Sequence, residues 1–459
     1  MAAAAAAAMP AGDAAAGGGA PGDEVMKVVK WTRPAVFGAP PPPRGGHAGV
    51  MVGNLFIVFG GTLYKGDNKF AYLNDTWALD VDTMKWHLPK CAGRPPGGRY
   101  GHAAVVVDYK VYIFGGKGEG GILYNDLWCL DVEKWSWAMI PSSTAAPPGT
   151  RCGHSMIAVG DKLAVFGGWD GRVANNEFWL FDMCTCPARR SGVLRAFCCH
   201  TTHICSPAHA AASYTWVRPG TSGVPPCARH GHCAVRRRWR GCTSRCAATP
   251  TPPPPHPLRS PQVYDEASAR MLVYGGWHPG DDGVPEYQGD TRQLDLHTLT
   301  WSRPRALGAT PGPRYAHGVA MVGNVLVTTG GYDGPRDAAA VEAALPKELV
   351  TIPYAPGMGG DALAGPGSFI DVPYGVHADT CFLNMDAGEW IQPALAGTPP
   401  GYRYGAAVAA TGAHVLVFGG WEGGRPLNDL IVLDMTALVD TEDGGGDGSG
   451  GDGGGDATA

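Results

Sequence analysis

The chain has 459 residues, 69 of them Gly and 40 Pro, a combined share about double the usual. Both residues are costly inside helices, so a helix-rich fold is disfavoured, and collagen is excluded because Gly does not recur at every third position. The formal net charge of −5 is mild, and no run of 18 charge-free apolar residues offers a membrane span.

Residues 1–24 are mostly Ala and Gly, and Met1 to Ala20 contains no Lys or Arg. This segment reads as a disordered leader, neither a secretory signal nor an Arg-rich transit peptide. Met26 to Pro34 follows, with Trp31 in the setting of a single strand.

From there one pattern recurs six times. Each copy opens on an Arg, usually followed two and three residues later by Gly and His. Two short apolar runs come next, the second ending in Gly-Gly. An Asn-Asp or Asp, an alternating segment ending in Asp, and a Trp complete the unit. The opening residues are Arg44, Arg99, Arg151, Arg229, Arg314 and Arg403, with His47, His102, His154, His232 and His317 in the first five copies. The closing residues are Trp86, Trp135 or Trp137, Trp216, Trp301 and Trp390, and the sixth copy has none. Val52-Gly53-Asn54 reads as a hairpin turn, and alternation shows in Trp77, Leu79 and Val81. Each unit therefore predicts four short antiparallel strands, which is a propeller blade. The chain resembles the kelch-repeat β-propellers over about residues 26 to 435. The predicted fold is all-β and six-bladed, spanning 25–437, with the Trp31 strand completing the last blade and removing an exposed sheet edge. The Gly-rich acidic residues 438–459 predict a disordered tail. With nothing else recognisable in the chain, a nearly bare, monomeric propeller is expected.

Three insertions disturb the period, at about 184–211, 236–262 and 332–378. From Met183 to Gln262 there are eleven Arg and no acidic residue, and nine of the 13 Cys lie between Cys184 and Cys246. The cysteine spacings match no zinc template with two clean pairs. Removing Cys184 to Ala211 restores the ordinary six-residue step from Asp182 to Trp216, and removing Arg236 to Gln262 restores a normal hairpin. Translated non-coding sequence is the reading this composition favours. Disordered inserts, a zinc site or a basic nucleic-acid patch are the alternatives. The third insertion has mixed charge, includes a short helical stretch, Ala338 to Glu348, and reads as a loop over one face, with a mis-spliced segment as the alternative.

Strand direction places the six arginines on the same face as the links between strands two and three. Loops on a rigid scaffold are where binding sits, and the kelch resemblance implies a protein partner on a propeller face. Arg44, Arg99, Arg151, Arg229, Arg314 and Arg403 are thus the candidate partner-binding residues, able to pair bidentately with an acidic segment. Against this, recurrence in every blade favours a structural role for each Arg, and the same holds for the ring of His. An adaptor or substrate-receptor subunit is the leading expectation, without cofactor, membrane or nucleic acid. With no secretory signal, a reducing cytoplasmic or nuclear location is the default. The alternative is a metal-dependent or small-molecule-converting enzyme resembling the kelch-type specifier proteins. Their Glu-x-x-x-Asp-x-x-x-His series is matched at Glu286 and Asp290, but Leu294 stands where His is needed.

Overall fold

A computed structural model describes residues 27–66, 69–142, 147–183, 215–227, 233–237, 270–280, 284–334, 375–422 and 424–439. Six antiparallel sheets stand around a common axis. Blade 1 shows how the sequence makes one. Ala48–Val52, Leu55–Phe59, Thr76–Asp80 and Lys85–His87 pair in chain order. Gly53 turns the first hairpin at φ 59°, a left-handed conformation that Gly adopts without steric cost. In the third turn, Asp80 accepts hydrogen bonds from the amides of Asp82 and Thr83, the expected local use of a short carboxylate. Blade 5 differs: Asn384 accepts there, and Asp386 instead receives the Asn324 side chain.

The inner strands touch in a closed ring, from Ala48–Val52 through Ala103–Val107, Ser155–Val159, Cys233–Arg237, Gly318–Val322 and Ala407–Thr411 back to the first. The core lies between neighbouring sheets. The closing Trp of one blade packs on the aromatic residue before Gly-Gly in the preceding one, as Trp137 does on Phe59 at 5.0 Å and Trp86 on Phe418 at 5.0 Å. Blade 2 closes on Trp137, which is 5% exposed.

Val28–Thr32 is the fourth strand of blade 6, antiparallel to Arg425–Asp434 with Trp31 opposite Leu433. Trp31 is 1% exposed, so the two ends of the propeller share one core. Arg33 adds an ion pair to Asp429 at 2.7 Å.

Between blades the chain runs parallel to the next outer strand, as Ala394–Gly397 does beside Val28–Thr32. This covers an edge that would otherwise be open to pairing. Among the described residues a Gly with positive φ marks five of these crossings: Gly38, Gly93, Gly223, Gly308 and Gly397, each six residues before an arginine. At Gly308 (φ 79°) an added Cβ would stand 2.7 Å from the Trp390 carbonyl oxygen. Gly308→Ala should therefore cost about 1–3 kcal/mol. Gly53→Ala, where a Cβ meets open space, should cost only about 1 kcal/mol. Urea midpoints of the two variants separate the contact from the backbone strain.

Two hairpins absent from the four-strand expectation rise from the links between strands two and three: Thr62–Tyr64 with Phe70–Tyr72, and Trp277–Pro279 with Pro285–Tyr287. Cys233–Arg237 pairs with Arg270–Tyr274, so Arg236 and Arg237 stand in the inner strand rather than in the inserted segment. Thr436–Val439 forms a helical turn, and Leu438 and Val439 pack on the core beyond residue 437. The leader, residues 184–211 and 238–262, Ala338 to Glu348, Arg229, His232 and the tail from 440 lie outside the described residues. Among the described residues no helix is long and apolar enough to cross a membrane.

Candidate interaction face

The opening arginines are placed by the turn that precedes each inner strand. Arg44 shows the geometry. Its Nε donates to the Pro42 carbonyl at 3.1 Å, and Nη1 to the Gly60 carbonyl at 3.0 Å. Nη1 and Nη2 clasp both Asp75 oxygens at 2.7 Å. Arg99 with Asp126, Arg314 with Asp379 and Arg403 with Asp429 repeat the arrangement, and Arg151 pairs with Glu177 at 3.0 Å. All five guanidinium side chains are at most 3% exposed.

Burial raises the carboxyl pKa values. The hydrogen bonds and charge of the paired guanidinium outweigh it, joined by an indole N–H at Asp75, Asp126 and Glu177, by the Cys381 thiol at Asp379 and by Arg33 at Asp429. Asp75, Asp126, Glu177, Asp379 and Asp429 all lie below the ordinary carboxylate value. Each of the five described arginines, expected as a grip for a partner's carboxylates, holds a carboxylate of its own blade in a bidentate or charge-assisted pair. What they build is a rigid frame.

Backbone bonds join that frame from blade to blade. Gly61 N–H donates to the Arg99 carbonyl, Gly116 to Arg151, Gly276 to Arg314, Gly331 to Arg403 and Gly420 to Arg44, each at 2.8 or 2.9 Å. Around the mouth of the channel, Gly101 donates to Gly46, Gly153 to Gly101, Gly46 to Gly405 and Gly405 to Ala316. The histidines lie beneath. His47, His102, His154 and His317 each meet edge-on the aromatic ring before the Gly-Gly of the preceding blade, at 5.2–5.5 Å. Burial, then the neighbouring arginine, pushes His102 and His317 down to about 3 and lowers His47 well below its usual value.

Above the frame lies an arc of rings. Trp169 stacks on Trp277 at 5.8 Å, and Trp277 meets Tyr315 at 6.4 Å. Tyr315 stacks on Tyr287 at 5.8 Å and meets Tyr332 edge-on at 5.5 Å, and Tyr332 reaches Tyr404 at 5.9 Å. These six rings come from blades 3, 4, 5 and 6, and all but Trp277 are partly exposed. Burial, with Tyr404, Tyr287, Tyr332 and Tyr100 around it, raises the Tyr315 pKa well above its ordinary value. Burial, Tyr332 and Asp333 raise that of Tyr287. The phenols therefore stay neutral. None of these rings was singled out from the sequence, though a signal is there: Gly-Gly is followed by an aromatic and a polar residue in Trp169-Asp170, Trp277-His278, Tyr332-Asp333 and Trp421-Glu422.

Glu286 and Asp290 go different ways. Glu286 is exposed and faces His278 at 3.4 Å, whereas Asp290 pairs with Arg292 at 2.8 Å. Among the described residues no group of three or more His, Cys, Asp or Glu side chains is placed to hold a metal ion.

A family model described as the KLHDC2/KLHL20/DRC7 Kelch-repeats domain matches residues 25–187, and one described as the Kelch motif matches residues 402–437. Host cell factor 2 of Homo sapiens is 25% identical over 433 residues, 90% of this chain and 44% of that protein. Host cell factor 1 of Rattus norvegicus is 28% identical over 320 residues, 67% of this chain and 13% of that protein. Tip elongation aberrant protein 1 of Schizosaccharomyces pombe is 35% identical over 152 residues, 32% of this chain and 13% of that protein. The chain spans less than half the length of these relatives.

Proposed function

Because this chain is a kelch-repeat β-propeller, we propose that it is a protein-interaction module, an adaptor or substrate-receptor subunit that holds a partner on the face carrying the aromatic arc. The observation that supports this reading is the arc itself: partly exposed Trp and Tyr rings standing on a frame whose charges are satisfied internally. Tyr and Trp supply large contact area at low conformational cost, and rigid aromatic anchors dominate interface energetics. A cytoplasmic or nuclear location belongs to the same reading.

The test is capture of partners on the immobilised chain, identified by mass spectrometry and compared across variants. Trp169→Ala and Tyr404→Ala should each release a bound partner. Glu133→Lys, an exposed site in the turn on the opposite face, should retain it. A partner released by Glu133→Lys and indifferent to the arc variants would overturn the reading.

A further inference from the structure

The arc and its carboxylates are one surface, and their chemistry selects the sign of what binds. Directly after an arc ring come Asp170 and Asp333, and Glu422 follows Trp421, whose strand bridges to Tyr404. Asp170 is fixed beside Trp169 by the amides of Arg172 and Val173, both at 2.8 Å. Asp333 faces His377 at 3.4 Å, and Glu422 faces Arg425 at 2.6 Å. The repeat is absent from blades 1 and 2, where Thr62-Leu63 and Lys117-Gly118 hold the same positions.

We infer that the face of blades 3 to 6 takes a basic segment of a partner protein, with Arg or Lys side chains lying over the rings of the arc and meeting Asp170, Asp333 and Glu422. This deepens the proposed function and rests on it. An aromatic face carries the negative side of the ring quadrupole and attracts cations. Carboxylates alternating with the rings reinforce that attraction, and both repel an acidic peptide. The neutral state of the Tyr315 and Tyr287 phenols preserves the rings as cation acceptors. The five buried arginines are each cancelled by their own blade's carboxylate, and the exposed Arg425 is held by Glu422 at 2.6 Å, so these six offer an acidic partner little positive charge.

The probes are two fluorescein-labelled Gly/Ser dodecapeptides, one with four Arg and one with four Glu, titrated into the full chain and read by anisotropy. The Arg peptide should bind saturably and at least about tenfold more tightly than the Glu peptide. Tyr332→Ala and Trp169→Ala should each weaken it about tenfold. Tyr332→Phe, which keeps the ring, should retain binding, and Asp333→Asn should weaken it severalfold. Thermal melts of each variant confirm folding, and a chain with the acids of 440–459 changed to amides should bind as before. Tighter binding of the Glu peptide, indifference to the arc variants, or loss of binding with the neutral tail would overturn the inference. A protein captured through the arc in the same hands, with the Arg peptide inert, would leave the interaction module standing and remove only the basic partner.

Discussion

Arg99→Met should cost about 3–5 kcal/mol of stability, the range for removing one member of a buried ion pair. Asp126 is three-quarters buried beside it, and its carboxylate would lose both guanidinium bonds at 2.6 and 2.9 Å. The Gly115 and Gly97 carbonyls would also lose their donor, and a buried acceptor left without one costs about 1–3 kcal/mol. Urea unfolding read by tryptophan fluorescence measures the effect, because the closing Trp residues bridge adjacent blades. The double variant Arg99→Met with Asp126→Leu removes the stranded charge and should regain part of the loss. Arg33→Ala is the contrast. Its guanidinium is 45% exposed, and solvent screening holds that change under about 1 kcal/mol. If Arg99→Met moved the midpoint no more than Arg33→Ala, the arginines would not be the frame of this propeller.

Much of the fold was legible because its signals are local and repeated. Gly-Gly needs two consecutive left-handed residues, as at Gly60 (φ 70°) and Gly61 (φ 96°). No other pair adopts these at so little cost, so the motif marks the end of the second strand in blades 1 to 5 and a register irregularity within His414–Glu422 in blade 6. The missing sixth Trp and the early Trp31 gave ring closure for the same reason: each blade needs one broad plate, and only one candidate remained. The hairpin Thr62–Tyr64 with Phe70–Tyr72 was not legible. It is short, and it is anchored by rings from other blades, with Phe70 packed on Trp421 at 5.8 Å. Period-two counting within one blade cannot see such a contact.

The candidate site divides along the same line. Recurrence assigned the arginines to one face, and it also argued for a structural role, since a ligand rarely needs six equal contacts. What the sequence hid was the identity of the second member of each pair. The partner lies 26 to 65 residues downstream, and at Asp379 the third insertion intervenes. The arc was missed because its members occupy different repeat positions. Tyr315 and Tyr404 follow the opening arginine, Trp169, Trp277 and Tyr332 follow Gly-Gly, and Tyr287 lies in the extra hairpin of blade 4. The isolated bridges Tyr315–Tyr332 and Tyr404–Trp421 bring those positions together within a blade, and the ring geometry then joins neighbouring blades. A column-by-column reading of the repeat keeps them apart.

Acid should weaken the propeller in two stages, and the first should begin while the arginine-paired carboxylates are still ionised. His102 and His317 are buried neutral with pKa values near 3, against 6.5 for an unconstrained histidine. Below pH 6.5 the unfolded chain therefore binds protons that the folded one refuses, so stability falls as pH drops. At pH 5 each of these two histidines should have removed about 2 kcal/mol, and His47 acts in the same direction. The paired carboxylates act later. Their folded pKa values are depressed, so their contribution is intact above the ordinary carboxylate range and is lost only as pH falls below it. Urea midpoints at pH 7.5 and pH 5 discriminate the two, because carboxylates alone would leave the midpoints equal. His102→Phe keeps an aromatic ring against Phe59 and removes one titrating group, so it should lower the proton uptake on unfolding at pH 5 by about one. Equal midpoints, or a variant with the unchanged pH slope, would mean that the histidines take up protons within the folded ring, and the edge-on packing at 5.2–5.5 Å would then have to tolerate an imidazolium beside each buried arginine.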